Sequence, residues 1–211
     1  MIKAVIFDID GVLMDSFEAN YEFMTDIASR LNLKFISKRE YKLNFAKPFR
    51  EILKSANSLS DVGEVEKLIE KIRKKVSYPF RLVKTYDQCE ESLNSLNKKY
   101  KLALVTSRPV SGLKVYYKHA KNEKLFKTAI TLNDVKNHKP HPESLLLAAK
   151  KLKIKPEEAI YVGDAKSDML AAKAAGMKSI IFNKIPVRGA TANIKHFKQL
   201  VPTINKIASN V

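Results

Sequence analysis

The sequence predicts an α/β protein: a Rossmann-like parallel sheet with helices on both faces, into which an all-helical block is inserted. Three observations predict it. From Tyr86 onward, short apolar, β-branched runs alternate with helical patterns. Residues 16–83 carry helical periodicity and no convincing strand. Acidic or hydroxyl residues follow three of the predicted strands, at the carboxyl ends where such sheets bind ligands.

The elements follow in order. Residues 2–7, Ile-Lys-Ala-Val-Ile-Phe, read as a buried parallel strand. Ser16 stands as N-cap of a helix over 17–31, with Phe17, Tyr21, Met24, Ile27, Ala28 and Leu31 at helical spacing. Ser37, Pro48 and Ser60 mark further helix starts, and Leu68, Ile69, Ile72 and Val76 continue an apolar stripe. Tyr78-Pro79 ends that last helix. A helix over 87–98 then leads to a strand at 101–106. Pro109 opens a helix, residues 128–131 form a short strand, and Pro142 opens a helix to about 153. Residues 159–162 and 179–182 are strands flanking a helix at 166–175, which Gly176 closes. Residues 195–208 read as a terminal helix through Phe197, Leu200, Ile204 and Ile207. The organisation expected is a core of 1–15 and 84–211 with a helical insert of 16–83.

Composition sets bounds. The 211 residues allow one large domain or a domain with a smaller insert. With 45% hydrophobic and 29% charged residues, whole-chain disorder is excluded. No apolar run approaches the ~18 residues of a membrane helix. The stretch Ala4–Phe7 is cut at once by Asp8 and Asp10, which does not fit a secretory signal. The single Cys89 cannot form an internal disulfide, so a cytoplasmic location is expected. There are 39 Lys+Arg against 22 Asp+Glu, a net charge of +17. Such charge favours anionic ligands and non-specific nucleic-acid binding. The basic residues are scattered, the longest run being Arg73-Lys74-Lys75, so solvated helix faces are the simpler explanation.

The strand ends carry the chemistry. Asp8 and Asp10, two apart on an extended chain, point the same way, and their repulsion calls for a cation. Oxygen donors suit a hard ion such as Mg²⁺; an acidic turn is the plain alternative. Gly163-Asp164-Ala-Lys-Ser-Asp168 places a second acidic pair between a strand and a helix start. Helix-dipole stabilisation explains one such Asp, whereas two clusters at one sheet edge need a shared charge partner. Thr106 and Ser107 end a strand with a hydroxyl and backbone N–H groups able to hold phosphate oxygens, though both are also ordinary turn residues. Lys139, before Pro140 and Pro142, is a stiffened lysine able to offset phosphate charge. His138 and His141 have the wrong spacing for a helical metal pair, and Arg108 and His119 read as surface or supporting residues.

Together these four elements resemble the haloacid dehalogenase superfamily of phosphotransferases over nearly the whole chain. Asp8-Ile-Asp10-Gly-Val-Leu-Met-Asp15-Ser16, Thr106-Ser107, Lys139-Pro140 and Gly163-Asp164-x-x-x-Asp168 resemble its four motifs, in order. The helical insert resembles the α-helical cap of the phosphoglycolate phosphatase and β-phosphoglucomutase branch. The resemblance implies Asp8 as nucleophile forming an aspartyl-phosphate, and Asp10 as general acid and then base. It implies Mg²⁺ held by Asp8, the Asp10 backbone carbonyl and Asp164, with Asp168 assisting directly or through water. Thr106, the Ser107 N–H and Lys139 would hold the phosphoryl group, and the cap would supply selectivity, with Lys47 and Arg50 as anion contacts. Val12 stands where many phosphatases of the family have Thr, and Phe45–Arg50 lacks a glycine common in relatives. Asp10 argues against the dehalogenase branch.

The expected function is hydrolysis of a small phosphorylated metabolite, of the phosphoglycolate or sugar-phosphate type. A sugar-phosphate mutase, a basic nucleic-acid-binding protein and a catalytically idle relative are the alternatives. Monomer and homodimer are both compatible with the sequence.

Overall fold

The computed structural model describes residues 1–45, 47–58, 62–73 and 75–210. Ala46, Ser60 and Lys74 lie outside them. By contact density the chain divides into two units, Met1–Asp15 with Thr85–Val211, and Ser16–Lys84.

The first unit is built on six strands: β1 (Ala4–Phe7), β2 (Lys101–Val105), β3 (Phe126–Ile130), β4 (Ala159–Gly163), β5 (Lys178–Phe182) and β6 (Ala192–Ile194). They pair in the order β3-β2-β1-β4-β5-β6, every pair parallel. The order reverses at β1, whose Phe7 is level with Leu104 on one side and Val162 on the other. The crevice at that reversal is where ligands bind in doubly wound sheets. β1 and β4 are buried along their whole lengths, as a sheet covered on both faces requires.

Alternate strand residues serve alternate layers. Ala4, Ile6, Ala103, Val105, Ala159 and Tyr161 join one buried cluster with α7 (Glu143–Leu152) and α8 (Lys166–Ala175). Val5, Phe7, Leu102, Leu104, Ile160 and Val162, all nearly inaccessible, face the other way. There α5 (Cys89–Asn97) packs on β2 and on α9 (Leu200–Ser209). α6 (Val110–Ala120) follows Pro109. Gly176, at φ +76, ends α8 as expected.

Three expectations for this unit are corrected. The sequence pattern does not announce β6: Ala-Asn-Ile is short, only Ile194 is fully buried, and no apolar run marks it. The third strand starts earlier, at Phe126. The last helix starts at Leu200, because Gln199 accepts from the Lys195 and His196 N–H groups and holds Phe197–Gln199 in a separate 3-10 turn.

The second unit contains α1 (Phe17–Arg30), α2 (Lys38–Asn44), α3 (Phe49–Asn57) and α4 (Val62–Arg73), then a 3-10 turn at Phe80–Leu82. Its core joins Phe23, Ile27, Ala28, Phe49, Leu53 and Ile69. Ser37 and Glu40 cap α2 reciprocally. Pro48 occupies the N-cap position of α3. Ser16 stands at the N-cap position of α1 but makes no side-chain capping bond; its Oγ accepts from Asn20 Nδ2 at 3.2 Å. α4 ends at Arg73, five residues before Tyr78. The apolar stripe nonetheless continues, since Val76 and Tyr78 pack on the core and the Tyr78 hydroxyl donates to Asn20 at 2.7 Å.

Candidate active site

β1 delivers Asp8 to the sheet edge, where its N–H donates to the Val162 carbonyl of β4. The chain then turns tightly. The N–H groups of Val12, Leu13 and Met14 point at the Ile9 carbonyl, and Gly11 takes φ +76. A Cβ on Gly11 would run into the Asp164 carboxylate, and one on Gly163 into the Asp168 side chain. Glycine at these two positions lets the acidic clusters close up.

The side chains of Asp8, Asp164 and Asp168 each offer an oxygen, and these lie within 4.8 Å of one another. Lys139 reaches in from the loop before α7. Its Nζ donates to Asp8 Oδ2 (2.5 Å), Asp168 Oδ1 (2.7 Å) and the Tyr161 hydroxyl (3.1 Å), with the side chain only 6% exposed. Asp8 Oδ1 accepts from the Ile9 N–H at 2.6 Å. Asp168 Oδ2 accepts from the N–H groups of Asp164 and Ala165, and Tyr161 donates to Oδ1. Four donors thus serve Asp168, the third residue of α8, and direct metal ligation would require one to exchange.

Electrostatics follow from this crowding. Burial pushes the Asp8 carboxyl up to about 7, despite Lys139, and pushes Asp164 well above the usual carboxylate range. Asp168 is also opposed by burial, but the charge of Lys139 and its hydrogen bonds hold it low. For Lys139 itself, burial works against the charge and is outweighed by Asp168 and Asp8, which hold the ammonium well above the lysine range. The three carboxyl groups form an all-oxygen donor set in which ionising all of them would outweigh the one ammonium, and a hard divalent cation fits that set because it favours the ionised form.

Thr106 follows β2 and is buried; its Oγ1 accepts from the Arg108 N–H at 3.1 Å, and Ser107 comes next, half-buried. The Asp10 carboxylate points to Arg108, whose Nε and a terminal nitrogen donate to its two oxygens at 2.7 and 2.6 Å. It is not part of the three-carboxylate group; the resemblance gives Asp10 a ligand role only through its carbonyl. Of the two readings of Arg108, surface or supporting, the structure favours the second: it is 8% exposed and paired directly to Asp10.

Lys47 and Arg50 belong to the other unit, at the turn after α2 and on the first turn of α3. His138 and His141 join no metal-binding cluster among the described residues.

Two residues that serve the site escape sequence reasoning. Tyr161, fully buried and hydrogen-bonded to Lys139 and Asp168, is one. Glu143 is the other: its carboxylate accepts from the Lys136 N–H, the Asn137 N–H and Asn137 Nδ2 at 2.8–3.0 Å, tying the loop that carries Lys139 to the start of α7.

Comparison with known proteins agrees with this geometry. Residues 5–182 match the family model for haloacid dehalogenase-like hydrolases. The pyrophosphatase PpaX of Bacillus cereus is 32% identical over 182 residues, covering 84% of this chain and 82% of that protein. A HAD-superfamily hydrolase of subfamily IA from Geobacter sulfurreducens superposes with a TM-score of 0.73 at 28% identity, covering 96% of this chain and all of that one. A predicted phosphoglycolate phosphatase of Haemophilus somnus superposes at 0.79 with 19% identity, over 96% and 98% of the two chains, and shares the fold. On the sheet order, the ordered motifs and these matches, the chain belongs to the haloacid dehalogenase-like hydrolase family.

Proposed function

We propose that this hydrolase is a Mg²⁺-dependent phosphatase that cleaves small phosphomonoesters through an aspartyl-phosphate on Asp8. Phosphoester hydrolysis in general follows from the family; the metal, the residue roles and the substrate type are the proposal. The observation that carries it is the convergence of Asp8, Asp164, Asp168 and Lys139 at the point where the strand order reverses.

An oxygen of Asp8 attacks phosphorus, and the bond to the leaving oxygen breaks while Asp10 passes that oxygen a proton. Water then attacks phosphorus and gives its proton to Asp10, releasing phosphate and restoring the Asp8 carboxylate. Thr106, the Ser107 N–H and Lys139 hold the phosphoryl oxygens, and Tyr161 and Asp168 hold Lys139 in place. Asp8, the Asp10 carbonyl and Asp164 would hold Mg²⁺, with Asp168 steadying the group; when bound, it neutralises charge shared by carboxylate and phosphate. The helical unit acts as the cap, and Lys47 and Arg50 are its anion contacts.

Metal binding should be visible without turnover. A cation bound only by the folded protein at about 100 times its Kd stabilises by about 2.7 kcal/mol. We expect a higher melting temperature in Mg²⁺ than in EDTA, and no such difference in Asp164→Asn.

Glu143 supplies a subtler check. Glu143→Ala releases the loop carrying Lys139, so KM for a phosphate ester should rise about tenfold with a smaller change in kcat. In a Lys139→Met background the same substitution should add little, because neighbours acting through one group are not additive.

The overall test is phosphate release from a panel of small phosphomonoesters, with Mg²⁺ and with EDTA. Release from several esters that EDTA abolishes supports the proposal. Turnover that needs a bisphosphate activator and yields no free phosphate would replace it with a mutase. Salt-sensitive DNA binding with no turnover would replace it with the nucleic-acid reading.

A further inference from the structure

We propose that Arg108 is the specificity residue for an anionic group on the leaving side of the substrate, and that in the free enzyme it latches Asp10 in that group's place. The inference rests on the phosphatase reading above, in which Asp10 faces the leaving oxygen.

Arg108 is built into its position. Its N–H donates to Thr106 Oγ1, and its carbonyl accepts from the Leu132 N–H at 2.9 Å. Its stem lies against α6 where residue 112 has no side chain, and a Cβ there would approach Arg108 Cβ to 3.2 Å. The side chain is 9% exposed, and its guanidinium grips both oxygens of Asp10. A planar fork of this kind matches a carboxylate or a phosphate, and Lys at that place would not.

The same contact has a cost in function. Asp10 has both oxygens turned to Arg108, whereas proton delivery needs at least one of them at the leaving oxygen. Withdrawing Asp10 gives up two charge-assisted hydrogen bonds to a largely buried side chain, which is unfavourable. A substrate whose leaving part carries its own carboxylate or phosphate resolves both demands: its anion replaces Asp10 on the fork, and Asp10 turns to the reacting oxygen. A substrate with a neutral leaving part leaves Asp10 latched. Discrimination should therefore appear in kcat as well as in KM. Lys139 cannot serve this role, being committed to Asp8 and Asp168 on the phosphoryl side.

The test compares phosphoglycolate, whose leaving alcohol carries a carboxylate, with ethylene glycol monophosphate, whose leaving alcohol is neutral and of similar size. Wild type should prefer phosphoglycolate by about 10- to 100-fold in kcat/KM, the range of a charge-assisted bond pair. Arg108→Gln should bring the ratio close to one, and Arg108→Lys should keep part of it. Because the ratio is read, a general loss of activity from disturbing Asp10 does not mimic the result. No preference in wild type, or an unchanged ratio in Arg108→Gln, would overturn the proposal. If wild type hydrolyses neither ester, binding decides the Arg108 assignment; the phosphatase reading itself fails only if the whole panel above is inert as well. Calorimetry of Mg²⁺-loaded protein with phosphonoacetate and with methylphosphonate should then show about tenfold tighter binding of phosphonoacetate. That advantage should vanish in Arg108→Gln, and its persistence there would overturn the assignment.

Discussion

Asp8→Asn lowers phosphate release by at least about 1,000-fold, on every ester the wild type accepts, while the protein stays folded. The amide keeps the shape of the carboxylate and can still accept from the Ile9 N–H, so the turn after β1 persists. It loses the oxygen that would bond to phosphorus. Its effect on stability is small because two terms oppose each other. Burial makes the Asp8 charge costly, as its carboxyl pushed up to about 7 shows, and the amide removes that cost. The amide also forfeits the ion pair with Lys139. Steady-state release and a melting curve, measured on the same preparation, check both halves. A folded variant with a few-fold loss would remove Asp8 from the nucleophile's role.

Lys139→Met abolishes most activity and also destabilises the protein, by about 3 kcal/mol at pH about 8 without metal. The lysine is the cation that two buried carboxylates share, with its side chain 6% exposed. Without it, Asp8 and Asp168 lose the interaction that lowers their affinity for protons, and their folded-state pKa values rise. A carboxylate whose folded pKa lies above its unfolded value costs stability at high pH, and the cost fades as pH falls through the folded value. The gap between variant and wild type should therefore narrow between pH about 8 and about 5. Mg²⁺ should narrow it as well, because a cation at the same carboxylates takes over part of the charge balance. Denaturant unfolding at both pH values, with and without Mg²⁺, checks this. A deficit unchanged by either would mean the lysine acts through packing alone.

Much of this architecture is readable from the sequence, because its signals are local. β1 and β4 are short and uniformly apolar, and both end abruptly in aspartate. The scarce glycines at 11 and 163 mark where those aspartates crowd together. β6 is hard to see because an edge strand with one buried residue needs no apolar run. α4 is overread because Val76 and Tyr78 keep packing on the core after the helix has ended, and periodicity reports packing rather than backbone.

The supporting residues of the site are harder to assign, for a different reason. Arg108 is one of 39 basic residues, and only its place after Thr106-Ser107 at a strand end sets it apart. Tyr161 looks like any aromatic strand residue. Its hydroxyl matters because β-strand alternation turns it to the side from which Lys139 and Asp168 arrive. Glu143 looks like a first-turn acid placed for the helix dipole, while its bonds run backward to the loop before it. All three act through contacts between residues distant in sequence or through loop closure, which composition and spacing do not record.

The proposed mechanism requires that Asp8 become phosphorylated during turnover. The direct measurement is hydrolysis of p-nitrophenyl phosphate in the presence of hydroxylamine, followed by mass spectrometry of the peptide containing Asp8. Hydroxylamine attacks an acyl phosphate at its carbonyl carbon, expels phosphate and leaves a hydroxamate, but it does not react with a free carboxylate. The expected result is a hydroxamate at Asp8 that requires both substrate and Mg²⁺ and grows in step with loss of activity. Continued phosphate release with Asp8 unmodified would contradict it.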